Sequence, residues 1–420
     1  MEKVRLKQII FDQQEVFNKP VNLIERDIDV DKYLKNQEII VITGIRRCGK
    51  SSLLKLISNK LNKQLFYLNF DDLRLTEFNN QNFEDIEDIV FEIFNDKDVV
   101  FFLDEVQNVK NWERWVNNLY GRNIKVFVTG SNSHLLSSEI STYLTGRNQT
   151  IKLYPFSFKE FLRLRGAPYV INSSKDRQSI IRNFKEYFLL GGFPVIDENK
   201  DIELSRQYFE DIVNKDIIQR YGIRMIKEFN DLVLYLFSNV GKSYSYSTLK
   251  KVSGIKSLSM IKNYIDYLKQ VFLAYTIHRF DFSIKKQKVS SSKFYVGDNS
   301  FLKTLAFEFS ENKGQRLENL VFLELFRRNK EIYYFSGKGE CDFVIKRGLK
   351  VIKAVQVSYD FSNESTKNRK IKGLLEAMKE FNLKEGLILT FDYEDKLDFE
   401  GKQIIVKPVW KWMIENEESK

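Results

Sequence analysis

The side chains best suited by type and spacing to do chemistry lie in the run Gly44-Ile45-Arg46-Arg47-Cys48-Gly49-Lys50-Ser51, with Ser52 directly after it. A glycine, four further residues, then Gly-Lys-Ser is the pattern of a phosphate-binding loop. Gly44 and Gly49 let the backbone curl so that successive N–H groups face inward at phosphate oxygens. Lys50 supplies a point charge for the β- and γ-phosphates, and Ser51 offers a hydroxyl to Mg²⁺. Such a loop needs a strand before it and a helix after it. Ile39 to Ile42 has the length and branching of a buried parallel strand. Ser52 to Leu61 is helix-forming, and its N-terminus adds the positive end of a dipole. These residues predict a bound nucleoside triphosphate with Mg²⁺.

A second apolar strand, Val99 to Leu103, delivers Asp104 and Glu105 at its C-terminal end. In open parallel sheets that edge is where ligands sit. Asp104 is the candidate to hold the Mg²⁺ water shell, and Glu105, on the other face, to polarise an attacking water. The extra glutamate favours hydrolysis over binding alone. Asn123 to Thr129 reads as a further strand, ending Gly130-Ser131-Asn132-Ser133. Asn132, with Ser131 close behind, is a candidate to meet the γ-phosphate or its water; the same residues equally suit a capping turn into a helix from His134. Arg147 precedes a last strand at Gln149 to Leu153. It has the charge of an arginine finger, and equally that of a surface ion-pair partner.

The runs TGIRRCGKSSLL, FLDEVQ, VTGSNSHLLSSEISTYLTGR and LYPFSFKEFL together resemble the AAA-type ATPases of bacteria and archaea. Within them the chain is most similar to the family that carries a C-terminal winged helix and a nuclease-like domain of unknown function. The resemblance spans most of the chain. It implies an α/β fold: a P-loop NTPase parallel sheet, followed by a helical and winged-helix part and a small α/β nuclease-like domain. It also implies that the Asp104 strand lies beside the phosphate-loop strand, and that Asn132 and Arg147 take part in hydrolysis. Neither Asn199-Lys200-Asp201 nor Asn214-Lys215-Asp216 fits the Asn-Lys-x-Asp run of guanine recognition, so ATP is the expected nucleotide.

At 420 residues, 43% of them apolar, the chain has material for two or three cores. The expected divisions are 1–154 for the nucleotide domain, 155–230 for a helical lid or linker, 231–297 for a winged helix-turn-helix, and 298–420 for the nuclease-like part. Two cysteines, Cys48 and Cys341, and two histidines argue against a disulfide scaffold, a zinc site or histidine-based catalysis. The opening MEKVRLKQIIFDQQ lacks the apolar stretch of a secretory leader, and no apolar run approaches a membrane span. A cytoplasmic location without a membrane partner is therefore expected.

The formal charge of +10 is uneven. From Lys242 to Lys293 there are eleven Lys or Arg against two acids, Asp266 and Asp281, which suggests an element facing a polyanion. Tyr246 to Val252 and Ser257 to Gln270 read as two helices joined at Gly254, followed by strands at Phe272 to His278 and near Lys293 to Val296. Leu258, Ile261, Ile265 and Leu268 form one apolar stripe, opposite Ser259, Lys262, Asn263, Asp266 and Lys269. This layout is that of a winged helix. It puts Lys262 and Asn263 near the bases of duplex DNA and Lys285, Lys286 and Lys288 on its phosphates. Contact with a protein partner is the alternative use of the same surface, and a homo-oligomer is expected if Arg147 works in trans.

Farther on, Glu318, Asp342, and the strand holding Gln356 and Ser358 resemble a restriction-endonuclease-like core. Metal-dependent cleavage needs Glu-x-Lys at those last two positions. A neutral amide is a poor ligand for a hard cation and a serine brings no positive charge, so no cleavage is expected. The whole reads as a Mg²⁺-dependent ATPase coupled to a basic winged helix. A slow ATP switch acting on a protein is the rival reading, and an ATP-regulated nuclease the third.

Overall fold

A computed structural model describes residues 1–94, 98–133, 144, 146–199, 202–305, 312–399 and 401–415. The helix expected from His134 lies outside them. The described chain divides into two compact units, residues 1–154 with 270–272, and residues 155–269 with 273–420.

The first unit is built on a five-stranded parallel sheet: β1 (Ile39–Thr43), β2 (Gln64–Asn69), β3 (Val99–Asp104), β4 (Val126–Gly130) and β5 (Asn148–Lys152). Their order is β2-β3-β4-β1-β5. The three inner strands are buried along their whole length, as continuous apolar runs must be when helices cover both faces. One expectation is corrected here. The Asp104 strand does not lie beside the phosphate-loop strand, because β4 pairs with β1 on one side and β3 on the other. The C-terminal end of β4 therefore stands between the phosphate loop and Asp104.

The first 37 residues hold more than the short helix Asp31–Leu34: a helix of 16 residues, Lys3–Asn18, precedes it. Leu6, Ile9 and Ile10 on its inner face join the core beside β2 and the helix Asn82–Phe94. That face also closes the outer edge of β2, which has no strand neighbour among the described residues. Gln13 Oε1 accepts the Asn69 N–H at 2.7 Å, and Gln13 Nε2 donates to the Asn69 carbonyl at 3.2 Å. Gln14 Oε1 accepts the Tyr67 N–H at 2.9 Å. Side-chain amides thus do the work of a missing strand and block edge-to-edge pairing.

The second unit begins with helices Phe158–Leu164, Ser174–Leu190, Pro194–Asn199, Ile202–Asp211 and Ile226–Ser238. Between the last two the chain widens into i→i+5 turns over Ile212–Gln219. A three-stranded antiparallel sheet follows, with β6 (Ser243–Tyr244), β7 (Ala274–His278) and β8 (Ser292–Val296) in the order β6-β8-β7. The helices Tyr246–Ser253 and Leu258–Gln270 are inserted between β6 and β7. Then come the helix Lys313–Arg327 and a mixed six-stranded sheet: β9 (Glu331–Ser336), β10 (Glu340–Arg347), β11 (Lys350–Ser358), β12 (Glu385–Thr390), β13 (Asp395–Phe399) and β14 (Lys402–Pro408). Their order is β13-β14-β12-β11-β10-β9, with helix Glu364–Glu380 between β11 and β12.

The three-stranded sheet meets the helix Lys313–Arg327 through polar matching as well as packing. Asn319 accepts the Val296 N–H at 2.9 Å and donates to the Val296 carbonyl at 3.2 Å, while Tyr295 stacks on Phe322. No helix among the described residues is long and apolar enough to cross a membrane.

Replacing Gln13 with Ala removes both bonds to Asn69 and leaves buried edge groups of β2 unpaired. The expected loss is about 1–3 kcal/mol, read as a lower urea midpoint at unchanged m value. An unchanged midpoint would show that this edge does not depend on its side-chain cap.

Candidate functional site

The phosphate loop is shaped by local backbone demands. Gly44 runs so close to the outgoing chain that a Cβ there would lie 2.0 Å from the Leu153 carbonyl oxygen. Arg47 and Gly49 both take positive φ, 68° and 99°, which turns the loop over before the helix Lys50–Ser58. Arg26, which carried no signal in the sequence, braces this turn from beneath. Its buried guanidinium donates to the Cys48 carbonyl at 3.1 Å and the Tyr154 carbonyl at 2.7 Å. Ile45 and Cys48 are buried, whereas Ser51 and Ser52 open to solvent at the helix N-terminus. Arg46 reaches Asp71 at 3.5 Å.

Lys50 is 4% exposed. Its Nζ lies 3.3 Å from Glu105 Oε1 and donates to the Gly44 and Ile45 carbonyls at 3.3 and 3.4 Å. Burial, the largest influence, opposes its charge, yet Glu105, Cys48 and Asp104 together hold its pKa above the ordinary lysine value. Glu105 leaves the end of β3 in a left-handed conformation, φ 50°, and this turns its carboxylate back toward Lys50. Gln107 Nε2 donates to it at 2.5 Å and the Ser131 N–H at 3.2 Å. Burial would raise this carboxyl, but Lys50, Gln107 and Arg46 hold it at about 2.

Asp104 is fully buried at the tip of β3. Tyr67 donates to its Oδ2 at 2.9 Å, Thr129 donates to its Oδ1, and Ser51 hydrogen-bonds to it. Burial first, and the neighbouring Glu105 charge second, push its pKa up. Thr129 works in two directions, since its hydroxyl also accepts the Glu105 N–H at 3.0 Å. The ordering of β4 between β1 and β3 is what puts Thr129 there. Neither Thr129, Tyr67 nor Gln107 was legible as a site residue: each belongs to an ordinary strand or turn until the sheet is assembled.

This donor set fits Mg²⁺ and a triphosphate. A hydroxyl and a carboxylate, both hard oxygen donors, face each other beside a buried ammonium, and Mg²⁺ takes the rest of its shell from water and phosphate oxygens. When bound, the metal would neutralise phosphate charge. The chain's own residues do the rest. The loop would cradle phosphates, Lys50 would meet their charge, and Glu105 holds a carboxylate where a water could be oriented.

Asn132 is 2% exposed next to this cluster, and its carbonyl accepts the Thr43 hydroxyl at 3.4 Å. Ser131 is the nearer neighbour of Glu105. Besides its N–H contact, its buried hydroxyl has no hydrogen-bond partner among the described residues. Arg147 is not brought to the cluster in its own chain. It precedes β5 at the start of β1, where its carbonyl accepts the Ile39 N–H, so it lies at the opposite end of the sheet from the loop. There its guanidinium donates to Asn117 at 2.6 Å and lies over the Tyr120 ring.

In the second unit, Lys262 and Asn263 are exposed on the helix Leu258–Gln270, with Lys262 above the Tyr246 ring at 5.2 Å. Ile261, Ile265 and Leu268 are buried as the stripe requires; Leu258 is 46% exposed, and Tyr264 takes the fourth core position. Lys285, Lys286 and Lys288 are exposed on a short helix, Ile284–Val289, rather than on an extended arm. Ten of the eleven basic side chains from Lys242 to Lys293 face solvent. The exception is Lys293, at 1% exposure.

Gly44→Ala should weaken binding of a fluorescent ATP analogue by roughly tenfold or more, because the added Cβ must displace the loop from Leu153. Retained affinity would mean that the close approach is not needed. Ser131→Ala and Asn132→Ala separate the two polar residues after β4: slower ATP turnover is expected from Ser131→Ala, whose hydroxyl is unspent. An effect of Asn132→Ala alone would reverse that ranking.

Comparison with known proteins agrees with this geometry. Residues 36–162 match the model of an AAA domain, and residues 181–312 that of a domain of unknown function, DUF8612. An uncharacterized protein of Methanocaldococcus jannaschii is 35% identical, the alignment covering 98% of this chain and 96% of that protein. An uncharacterized protein of Haemophilus influenzae is 29% identical over 89% of this chain and 94% of its own length. Among solved structures, the Holliday junction branch migration motor RuvB of Thermotoga maritima is 16% identical, covers 63% of this chain and 93% of its own, and has a TM-score of 0.31. A signal transduction ATPase with numerous domains from Pyrococcus horikoshii is 15% identical over 74% of this chain and 47% of its own, with a TM-score of 0.28. A parallel P-loop sheet in a chain whose residues 36–162 match an AAA domain, and near end-to-end likeness to the first archaeal protein, lead to one conclusion: the chain belongs to that protein's family.

Proposed function

We propose that the chain is a Mg²⁺-dependent ATPase whose nucleotide state is coupled to duplex DNA through the basic surface of its second unit. The observation that carries the ATPase reading is the meeting of Lys50, Glu105 and Asp104 at one sheet edge, with Glu105 held ionised by Lys50 at 3.3 Å. In this reading the loop from Gly44 to Ser52 binds the phosphates, Ser51 and Asp104 hold Mg²⁺, and Glu105 orients the attacking water. The triphosphate takes Glu105's place as the partner of Lys50, which frees the carboxylate for water. Arg147, with Asn117 and Tyr120, then acts only if a second copy presents it to the site, so its catalytic role goes with a homo-oligomer.

The DNA reading is supported by the solvent-facing row Ser259, Lys262, Asn263, Asp266 and Lys269 on one helix and by the lysines of Ile284–Val289. Under it, residues 231–297 work as a winged helix and 298–420 as a nuclease-like fold without cleavage. A second reading has its own observation. Phe282, Ile284 and Val289 are 74%, 69% and 78% exposed among those lysines, a composition that also suits a protein partner of an ATP switch.

ATP turnover of the wild type and of Glu105→Gln, with and without duplex DNA at low and high salt, tests both. Glu105→Gln should lower turnover by roughly 10²-fold or more while ATP still binds. DNA should raise the wild-type rate at low salt and lose that effect at high salt, because its contacts are to phosphate. Turnover indifferent to DNA at every salt concentration would remove the DNA reading and leave the protein switch.

A further inference from the structure

Glu318 and Asp342 are the carboxylates that a metal-dependent nuclease core would use, and in this chain their surroundings do not fit a metal. Asp342 Oδ2 accepts the Val357 N–H at 2.8 Å and Lys370 Nζ at 2.8 Å. Gln356 is spent across the β10–β11 pair: its Oε1 accepts the Asp342 N–H at 2.8 Å and its Nε2 donates to the Glu340 carbonyl at 3.1 Å. The Ser358 hydroxyl donates to the Asp360 carbonyl. Glu318 Oε1 accepts the Tyr295 hydroxyl at 2.8 Å. Among the described residues no group of three or more carboxylate, cysteine or histidine side chains is arranged to hold a metal ion.

A cation is nevertheless present between these carboxylates. Lys293, from β8 of the three-stranded sheet, places its Nζ 3.1 Å from Glu318, 2.7 Å from Glu340 and 3.6 Å from Asp342. The three acids belong to other elements, Glu318 to the helix Lys313–Arg327 and the other two to β10. Room for the Glu318 carboxylate comes from Gly241, where a Cβ would stand 3.0 Å from it. Lys370, from the helix Glu364–Glu380, completes the neutralisation on the far side of Asp342.

We infer that Lys293 is the resident cation of this cluster: a lysine lent by the neighbouring sheet stands where a divalent metal would be needed and clamps the three-stranded sheet to the six-stranded one. This goes beyond the proposed ATPase and does not depend on it. An ammonium among three carboxylates puts positive charge at Glu318 Oε1, Glu340 Oε1 and Asp342 Oδ1, where a metal would have to bind, and withdrawing it would strand buried negative charge. Carboxylates at positions where such a core would place catalytic groups thereby serve as a joint. Burial opposes the lysine charge, but Glu318, Asp342 and Glu340 together hold its pKa well above the ordinary range; Lys370 and Lys293 likewise keep Asp342 ionised against burial.

The test uses the full chain without nucleotide. Mn²⁺ binding, followed by electron paramagnetic resonance, is compared between the wild type and Asp342→Asn. No Asp342-dependent binding is expected at millimolar Mn²⁺; binding lost in Asp342→Asn would overturn the inference whatever the lysine variants do. Lys293→Met should lower the melting temperature by roughly 10 °C, and adding Glu318→Gln should recover part of that loss because the uncompensated charge is gone. Wild-type stability of Lys293→Met, or a double variant that falls by the sum of the single effects, would also overturn it.

Discussion

A buried ammonium group is tolerated only where carboxylates and carbonyl oxygens meet it, since its desolvation otherwise costs several kcal/mol. Each unit of this protein is arranged around one such lysine. In the first, Lys50 starts the helix after β1 and finds Glu105 beyond β3. In the second, Lys293 leaves β8 and finds Glu318, Glu340 and Asp342 on a helix and a different sheet. In both cases lysine and acid come from separate elements, so charge compensation dictates how those elements come together. The chemistry differs in one respect. Lys50 sits where the helix N-terminus opens to solvent and, in the proposed function, would exchange its partner for phosphate, whereas Lys293 is enclosed at 1% exposure.

The adjacent carboxylates Asp104 and Glu105 show how local surroundings divide two like groups. Glu105 is held low by Lys50 despite burial, while Asp104, buried more deeply and repelled by Glu105, is pushed up. Pairs separated in this way are what acid–base work requires. The dividing element is Thr129, which donates to one carboxylate and accepts from the backbone of the other. Tyr67 adds a second donor to Asp104, and Phe17 of the N-terminal helix stacks on Tyr67 with ring centres 4.1 Å apart. The helix that seals the sheet edge is thus in contact with the residue that steadies Asp104.

Surface charge follows a different logic from the buried pairs. The ten exposed basic residues between Lys242 and Lys288 are spread over two helices, the turn between them, the approach to β6, the β7 exit and the short lysine helix. Most of their charge has little compensation within the segment, which has two acids. Exposed ammonium groups cost little to maintain in water, and repulsion among them is relieved when a polyanion arrives. The apolar side chains interleaved at Phe282, Ile284 and Val289 would add contact area to either class of partner.

The amino-acid sequence by itself determined the phosphate loop, the Asp104-Glu105 strand end and the approximate positions of β1, β3, β4, β5, β7, β8 and β11, because these depend on local spacing and on apolar periodicity. Glycine positions that must curl and apolar runs that must be buried leave the same trace in any context. The long N-terminal helix also left a trace, in the spacing of Leu6, Ile9, Ile10 and Gln13. Only the tertiary structure decided the order of strands, which inserts β4 between β1 and β3 and so recruits Thr129. It alone separated Arg147 from the loop of its own chain and reassigned Lys293 from a basic surface to a buried clamp. These outcomes rest on contacts between residues distant along the chain, where a threonine, a tyrosine or a lysine carries no mark of the partner it will meet.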